Sequence, residues 1–245
     1  MAQREVYAEL PSTQDRAVEL ARQGVAEGSV VVARRQSRGR GRGDRSWASP
    51  EGGLYLSVVL RPGLIGPVLP LAIGAELADA VTLEYGVRPR LKWPNDLLAV
   101  DTAGTARKLA GILVDLVRTA NGSAAAVAGI GLNAHRPRDD LPAGVRERAV
   151  ALEELTTLPI DLEALERLVV GASVRAARAL GPPEGERAVL ARVRGLLYGA
   201  GEPVTVDGRP VGTLAGVRDD GALEVWSSGS LRALLAGDVR VGVGA

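Results

Sequence analysis

The sequence predicts an α/β (α+β) protein in which helices flank a mixed sheet and a small all-β unit follows. Three observations support this fold class. Short β-branched segments at 29–35 and 53–60 alternate with helical segments in the first half of the chain. Residues 145–197 have the apolar spacing of helices. From about residue 200, short strands separated by Asp-Gly turns predict a separate β unit.

The first elements carry clear start and stop signals. A helix is predicted at 12–24, because Ser12 or Thr13 can cap its start and Gly24 can end it. The glycine-rich segment 36–47 predicts a loop between the two strands already described.

The middle of the chain follows the same rules. A mostly apolar helix is predicted at 67–86, and a strand begins near residue 90. A turn at 101–104 separates that strand from two buried strands at 108–117 and 123–133. These strands complete the predicted mixed sheet.

Length and composition limit the partners and the location. With 245 residues, the chain has room for one large domain, predicted at 1–197, and a small one at 198–245. Cysteine is absent, which excludes disulfides and cysteine metal sites. The net charge of +1 does not favour nucleic acid, and no apolar run of about 18 residues predicts a membrane span. The N-terminal residues lack a signal-peptide pattern, so we expect a cytoplasmic protein.

Lysine is rare enough in this chain to mark a candidate site. Of the 30 basic residues only two are lysine: Lys92, in the segment KWPND, and Lys108. A compact ammonium can stabilise charge that develops between two oxygens, which the bulkier arginine fork does less well. Asn95 and Asp96 could contact a nucleotide or a magnesium ion. The alternative is a strand end followed by a turn with a capping side chain.

The loop at 36–47 is the second candidate. Arginine offers a planar fork for carboxylate or phosphate, and glycine allows backbone N–H groups to approach a ligand closely. The alternative is a flexible surface loop or an RNA-binding segment. The residues that alternate in this loop are Arg38, Gly39, Arg40, Gly41, Arg42, Gly43 and Arg45.

The segment GIGLN is the third candidate. Gly129 and Gly131 at a strand end permit the close approach of a flat ligand, and Asn133 offers an amide. Tight packing of the strand explains the glycines equally well. The lone His135 has no visible partner and is predicted to be an exposed loop residue.

Taken in order, these segments resemble the biotin protein ligases, also called biotin–[acetyl-CoA-carboxylase] ligases. STQD resembles the family's STN segment, and QSRGRGRGDRSW resembles its QxxGRGRxGRxW loop. KWPNDLL, KLAGILVD and GIGLN resemble its KWPND, KxxGILxE and GxGxN motifs. The resemblance covers about residues 12–241. It implies a class II synthetase-like catalytic domain followed by a small SH3-like β-barrel.

The sequence departs from the family pattern at three positions. Gln14 stands where the family usually has Asn, and Asp115 stands where it has Glu. Asp44 replaces the last glycine of the loop, which alters the loop geometry that the family pattern implies. Because the first motif begins at residue 12, no helix-turn-helix domain fits before it, and we expect the ligase-only type.

The resemblance implies two reaction steps. The biotin carboxylate attacks the α-phosphate of ATP, in the presence of Mg²⁺, and gives biotinyl-5′-AMP and pyrophosphate. A lysine amine of a biotin carboxyl carrier domain then attacks this intermediate and releases AMP. By position, the residues that would act in catalysis are Lys92, Arg40 and Arg42. No residue is assigned to the metal.

The resemblance also implies binding residues. Those expected to bind biotin are Ser12, Thr13, Gln14, Gln36, Gly39, Arg40, Gly41, Arg42, Lys92, Gly111, Ile112 and Gly129. Those expected to bind ATP are Arg40, Arg42, Arg45, Trp47, Lys92, Asn95 and Asn133. Lys108 is expected near the site, without a specific role. Some family members pair through sheet edges, so a homodimer is one expected state.

Three alternatives stay open at this point. A lipoate or octanoate ligase shares the adenylation chemistry, but a longer apolar slot and no QxxGRGR loop are expected there. A non-catalytic biotin or nucleotide sensor would bind ligand and release no pyrophosphate. An RNA-binding protein of the RGG type is disfavoured by the near-neutral charge and the few aromatic residues.

Overall fold

A computed structural model describes residues 1–64, 66–135 and 141–242, which form two sheets with flanking helices. The larger sheet consists of β1 (Arg4–Leu10), β2 (Val30–Gln36), β3 (Leu54–Leu60), β4 (Arg90–Lys92), β5 (Asp96–Val100), β6 (Ala106–Arg118) and β7 (Ala124–Leu132). Its strand order is β1-β2-β3-β7-β6-β5-β4. The β1–β2 pair is parallel and the other pairs are antiparallel, so the predicted mixed sheet is confirmed.

The helices of the described chain are α1 (Thr13–Arg22), α2 (Val68–Tyr85), α3 (Ala143–Arg146), α4 (Leu162–Ala179) and α5 (Pro183–Leu196), with a 3₁₀ turn at Leu152–Glu154. Ser12 precedes α1 with extended backbone, although its side chain makes no capping hydrogen bond. Gly86 ends α2 as predicted, because its φ of 70° continues the chain in the left-handed region that favours glycine.

Strand β1 is absent from the prediction. Its residues alternate between exposed and half-buried positions along the edge of the sheet. Such an edge strand needs few apolar residues, and the segment REVYAEL therefore carries no apolar run that would mark it.

Two apolar layers cover the two faces of the larger sheet. Val30 and Val32 belong to the large core that also contains residues of α2 and α4, whereas Val31 packs with Ala17 and Leu20 of α1. This alternation follows from the two-residue period of a strand. Among the described helices, α1 packs on the face that also carries the cleft described below.

The predicted all-β unit is confirmed as a separate five-stranded antiparallel sheet. Its strands are β8 (Pro203–Val206), β9 (Arg209–Val217), β10 (Leu223–Ser227), β11 (Ser230–Leu234) and β12 (Val239–Val241), in the order β11-β10-β9-β8-β12. The predicted turn at Asp207-Gly208 joins β8 to β9, and both residues have positive φ (50° and 76°) as a tight hairpin turn requires.

The two sheets share one apolar core. Val204 and Val225 of the smaller sheet belong to the same buried cluster as Leu91 and Trp93. The Trp93 Nε1–H donates to the buried carbonyl of Gly221 at 2.9 Å. The boundary between 1–197 and 198–245 therefore stays a prediction, since packing does not separate the two parts. None of the described helices is both long enough and apolar enough to span a membrane.

Trp93→Phe should weaken this junction. We expect the free energy of unfolding to fall by about 1–3 kcal/mol, because the buried Gly221 carbonyl loses its donor. Urea unfolding followed by circular dichroism would measure the change. Trp226→Phe is the matched control, since Trp226 is 51% exposed and makes no comparable bond among the described residues. Equal losses in the two variants would contradict the prediction.

Candidate active site

A cleft opens on the α1 face of the larger sheet, where three glycines lie side by side. Gly129 and Gly131 are two residues apart on β7, so both face the same side. Gly111 on β6 pairs with Gly131 in register. Because these positions have no side chains, the sheet surface has a depression between the start of α1 and the loop 36–47.

The protein's own side chains fill part of this depression. A Cβ atom at Gly111 would lie 2.7 Å from Trp47 Cζ3, and one at Gly131 would lie 2.5 Å from Trp47 Nε1. Gly129 faces Gln14 in the same way. The flat group that approaches Gly131 is therefore the indole of Trp47, where the sequence predicts a ligand.

Polar side chains gather at the α1 end of the cleft. The Thr13 N–H donates to Gln36 Oε1 at 2.8 Å, and the Thr13 hydroxyl lies 2.9 Å from that of Ser57. Gln14 Nε2 donates to the Val127 carbonyl at 3.0 Å. These bonds hold the polar groups in fixed orientations at the floor of the cleft.

Two buried oxygens at this end have no hydrogen-bond partner among the described residues, Ser12 Oγ and Gln14 Oε1. Their residues are only 2% and 3% exposed. Buried polar atoms are nearly always paired, and leaving one unpaired costs stability. Both atoms belong to residues that line the cleft, so a ligand with N–H donors could satisfy them.

Five cationic side chains of the described residues line the cleft, and three of them are Arg42, Lys92 and Lys108. Burial lowers the pKa of Lys92, and the Asp96 carboxylate opposes this shift. Burial also lowers the pKa of Arg42. Lys108 Nζ forms an ion pair with Asp96 Oδ1 at 2.8 Å and lies 4.8 Å from the centre of the Trp47 ring. Partly desolvated positive charge of this kind favours an anionic ligand.

The loop 36–47 closes on itself beside the cleft. The Trp47 N–H donates to the Gly39 carbonyl at 2.8 Å, and the Gly41 N–H donates to the Arg45 carbonyl at 2.7 Å. A Cβ atom at Gly39 would collide with the Trp47 carbonyl and with Ser49. Gly39 therefore serves the packing of the loop itself.

Ion pairs connect this loop to three other parts of the molecule. Arg40 Nη1 lies 2.9 Å from Asp15 Oδ1 in α1 and 2.9 Å from Asp115 Oδ2 in β6. Arg45 Nη1 lies 3.2 Å from Asp238 Oδ1, immediately before β12. Asp238 also lines the cleft, so the smaller sheet contributes to it.

The structure brings most of the predicted site residues to this one cleft. Lys108, expected near the site, lines it as well. The roles of all these residues stay predictions. The predicted residues that line the cleft are Ser12, Thr13, Gln14, Gln36, Arg40, Gly41, Arg42, Arg45, Trp47, Lys92, Asn95, Gly111, Ile112 and Gly129.

Two predicted binding residues do not line the cleft, and a third has its amide engaged. Gly39 is enclosed by the loop, and Asn133 lines a smaller neighbouring pocket. Asn133 Nδ2 donates to the Lys108 carbonyl at 3.0 Å. Asn95 lines the cleft, but its Nδ2 donates to the Ile112 carbonyl at 2.7 Å. These amide nitrogens thus hold backbone in place.

Three further residues differ from the prediction. His135 is not an isolated exposed residue, because it is partly buried and its Nδ1 lies 2.9 Å from Glu153 Oε2. Ser57 and Asp238 were not predicted as site residues. The signal for Ser57 is a buried hydroxyl within the apolar strand β3. Asp238 carries no local signal, since only tertiary contact brings it to the cleft.

A family model described as the biotin/lipoate A/B protein ligase family matches residues 6–133, just over half of the chain. The chain belongs to this family. The matched residues run from β1 to the end of β7 and include the loop 36–47 and both lysines. The family predicted from the sequence motifs is thereby confirmed.

Two relatives in this family are similar to half of this chain or more. The bifunctional ligase/repressor BirA of Bacillus spizizenii is 33% identical over 166 residues, which are 66% of this chain and 50% of that protein. A biotin–[acetyl-CoA-carboxylase] ligase of Paracoccus denitrificans is 37% identical over 133 residues, or 52% of this chain and 53% of that protein. The chain thus spans about half the length of these relatives.

A solved structure of a family member agrees with the whole architecture. The biotin protein ligase from Aquifex aeolicus in complex with biotin and ATP has a TM-score of 0.83 and 26% identity to this chain. The superposition covers 99% of this chain and 100% of that one. Both the mixed sheet and the smaller C-terminal sheet are included in that match.

Gly131→Ala should displace the Trp47 indole, because the added methyl group needs the space that the ring occupies. We expect Trp47 to become more accessible, which acrylamide quenching of tryptophan fluorescence would measure in a Trp226→Phe background. Gly216→Ala is the matched control, since its Cβ would have no neighbour closer than 4.0 Å. Equal quenching in Gly131→Ala and Gly216→Ala would show that the Trp47 indole does not depend on the space at Gly131.

Proposed function

We propose that this family member is an ATP-dependent biotin protein ligase, which adenylates biotin and transfers it to a lysine of a biotin carboxyl carrier domain. One observation carries the proposal. Buried oxygens without partners and a group of desolvated cations share one cleft. Biotin requires this combination, because it has a ureido group with two N–H donors at one end and a carboxylate at the other.

The α1 end of the cleft suits the ureido group. Ser12 Oγ and Gln14 Oε1 would accept hydrogen bonds from the ligand, while Thr13 and Gln36 support them through the bonds described above. The walls around the bicyclic ring of biotin would be formed by Gly111, Ile112 and Gly129.

The cationic part of the cleft suits the reacting groups. In the first step a biotin carboxylate oxygen attacks the α-phosphorus of ATP, and the bond to the β-phosphate breaks as pyrophosphate leaves. Lys92 and Arg42 would stabilise the negative charge that is shared between the carboxylate and the α-phosphate. Lys108 also lines this cleft, and it contacts Asp96 and the ring of Trp47.

The second step needs access for the carrier lysine. Its amine attacks the carbonyl carbon of the mixed anhydride, the bond to the phosphate oxygen breaks, and AMP and a proton leave. Until then the loop 36–47 would shield the anhydride from water. Arg45, Trp47, Asn95 and Asn133 are proposed to hold the nucleotide, and Gly39 and Gly41 would shape the loop.

Mg²⁺ is expected to arrive with the ATP phosphates. Among the described residues no group of three or more acidic or histidine side chains fits a metal ion. As in the sequence prediction, no residue is assigned to the metal. The carrier partner, a homodimer and a cytoplasmic location also stay predictions.

A lipoate ligase is the second candidate, because the family includes enzymes for that substrate. Lipoate lacks the ureido N–H groups from which Ser12 Oγ and Gln14 Oε1 could accept hydrogen bonds. The partnerless oxygens therefore favour biotin. A sensor would bind biotin without adenylating it, and the next experiment distinguishes such a sensor from a ligase.

The purified protein should release pyrophosphate from ATP and Mg²⁺ when biotin is present, and not when lipoate replaces it. A coupled pyrophosphate assay would measure the release, with biotin binding recorded separately by calorimetry. Release with lipoate alone would identify a lipoate ligase. Biotin binding without any release would identify a sensor and contradict the proposed activity.

Lys92→Arg should lose most of the adenylation rate, about tenfold or more, because the planar guanidinium cannot follow charge between oxygens as a compact ammonium does. The protein should still fold, since Lys92 makes no ion pair within 4.0 Å among the described residues. Pyrophosphate release and thermal unfolding would be measured on the same preparation. A wild-type rate in the folded variant would remove Lys92 from the mechanism.

A further inference from the structure

We propose that Asp15 and Asp115 hold Arg40 and so keep the loop 36–47 closed over the cleft. Arg40 is then a positioning residue, and this role differs from the catalytic role that the family resemblance implies for it. The proposal deepens the proposed function and rests on it for what the closed loop encloses. The ion pairs themselves do not depend on any ligand.

The geometry places a single donor group between two carboxylates. Arg40 Nη1 lies 2.9 Å from an oxygen of each aspartate, so its two N–H bonds serve α1 and β6 at once. Arg40 also pairs with Ser46 across the two arms of the loop. A restraint on Arg40 therefore acts on both arms, including the residue next to Trp47.

Charge distribution within the loop separates the roles of its arginines. Arg40 and Arg45 each have acidic partners, whereas Arg42 has none within ion-pair distance among the described residues. Arg42 lines the cleft and is partly desolvated. Of the three loop arginines that line the cleft, Arg42 is thus the one left for an anionic ligand, and Arg40 anchors the loop that carries it.

The two aspartates should not contribute equally. Single exposed ion pairs contribute little to stability, and their contribution rises as solvent is excluded. The side chain of Asp115 is 26% exposed, while that of Asp15 is 55% exposed. Asp115 should therefore provide most of the restraint. Salt should weaken both pairs, because all three groups are reached by solvent ions.

The test measures loop opening directly by limited trypsin digestion of the full chain. We expect Asp115→Asn to speed the first cleavage within 36–47 by about threefold or more, and Asp15→Asn to have a smaller effect. Asp115→Glu keeps the negative charge, so this variant should resist trypsin about as well as the wild-type protein does. Glu51→Gln is the matched control, because Glu51 is exposed and pairs with no basic residue in the described part of the chain. Cleavage sites are assigned by mass spectrometry.

Several results would overturn the proposal. One is a cleavage rate in Asp15→Asn and Asp115→Asn that equals the wild-type rate. Another is an equally large increase in the cleavage rate of Glu51→Gln. A third is cleavage of Asp115→Glu that is as fast as that of Asp115→Asn. The proposal also requires the cleavage rate of the wild-type loop to be higher at high salt than at low salt, so an unchanged rate would count against it. Circular dichroism of each variant excludes general unfolding as the cause of faster cleavage.

A second readout connects the closed loop to catalysis. Asp115→Asn should raise the pyrophosphate released per biotin transferred, because an open loop lets the intermediate escape. A constant ratio despite faster cleavage would overturn the enclosing role. If the wild-type protein releases no pyrophosphate with biotin, the proposed function fails, while the digestion results still decide whether the aspartates close the loop.

Discussion

The need to keep several positive charges in a half-buried cleft organises this molecule. Arg42 and Lys92 lose part of their hydration there, and nearby carboxylates offset part of the cost. Asp96 comes from β5, which pairs with the strand of Lys92, and Asp238 immediately precedes β12 of the smaller sheet. The packing of the larger sheet, the loop and the C-terminal sheet thus brings these charges together. The two sheets also share one core and a buried hydrogen bond from Trp93.

A second constraint concerns space. The loop can close only because the sheet lacks side chains where the indole of Trp47 comes to rest. Gly111 and Gly131 on neighbouring strands form that seat, and Lys108 packs against the same ring. The indole of Trp47 thus fits the space above these two glycines, although each glycine is more than 60 residues away from Trp47 in sequence. The glycines of the strand motifs therefore owe part of their presence to the loop.

The sequence predicts those features that depend on local signals. A mostly apolar run followed by Gly86 marks helix α2 and its end, and short, nearly continuous apolar runs mark the buried strands of the sheet centre. Ordered motifs predict the cleft as well. What local signals do not contain is pairing over long distances: the contact of Arg45 with Asp238 and the unmarked edge strand β1. Asn133 shows the same limit, because its motif indicates a binding residue while its amide nitrogen supports backbone.

The arginines of the loop show most clearly why residue type alone does not assign a role. Arg40, Arg42 and Arg45 alternate with glycines and are equivalent by composition. The fold gives one of them two carboxylates, gives another a single carboxylate from a different sheet, and leaves the third without an acidic partner among the described residues. A guanidinium already paired with protein carboxylates gains less from a ligand anion than an unpaired one, since its charge is partly compensated. Anchoring and anion binding can thus be divided within six residues of chain, and the division follows from where the acidic residues of α1, of β6 and of the segment before β12 meet the loop.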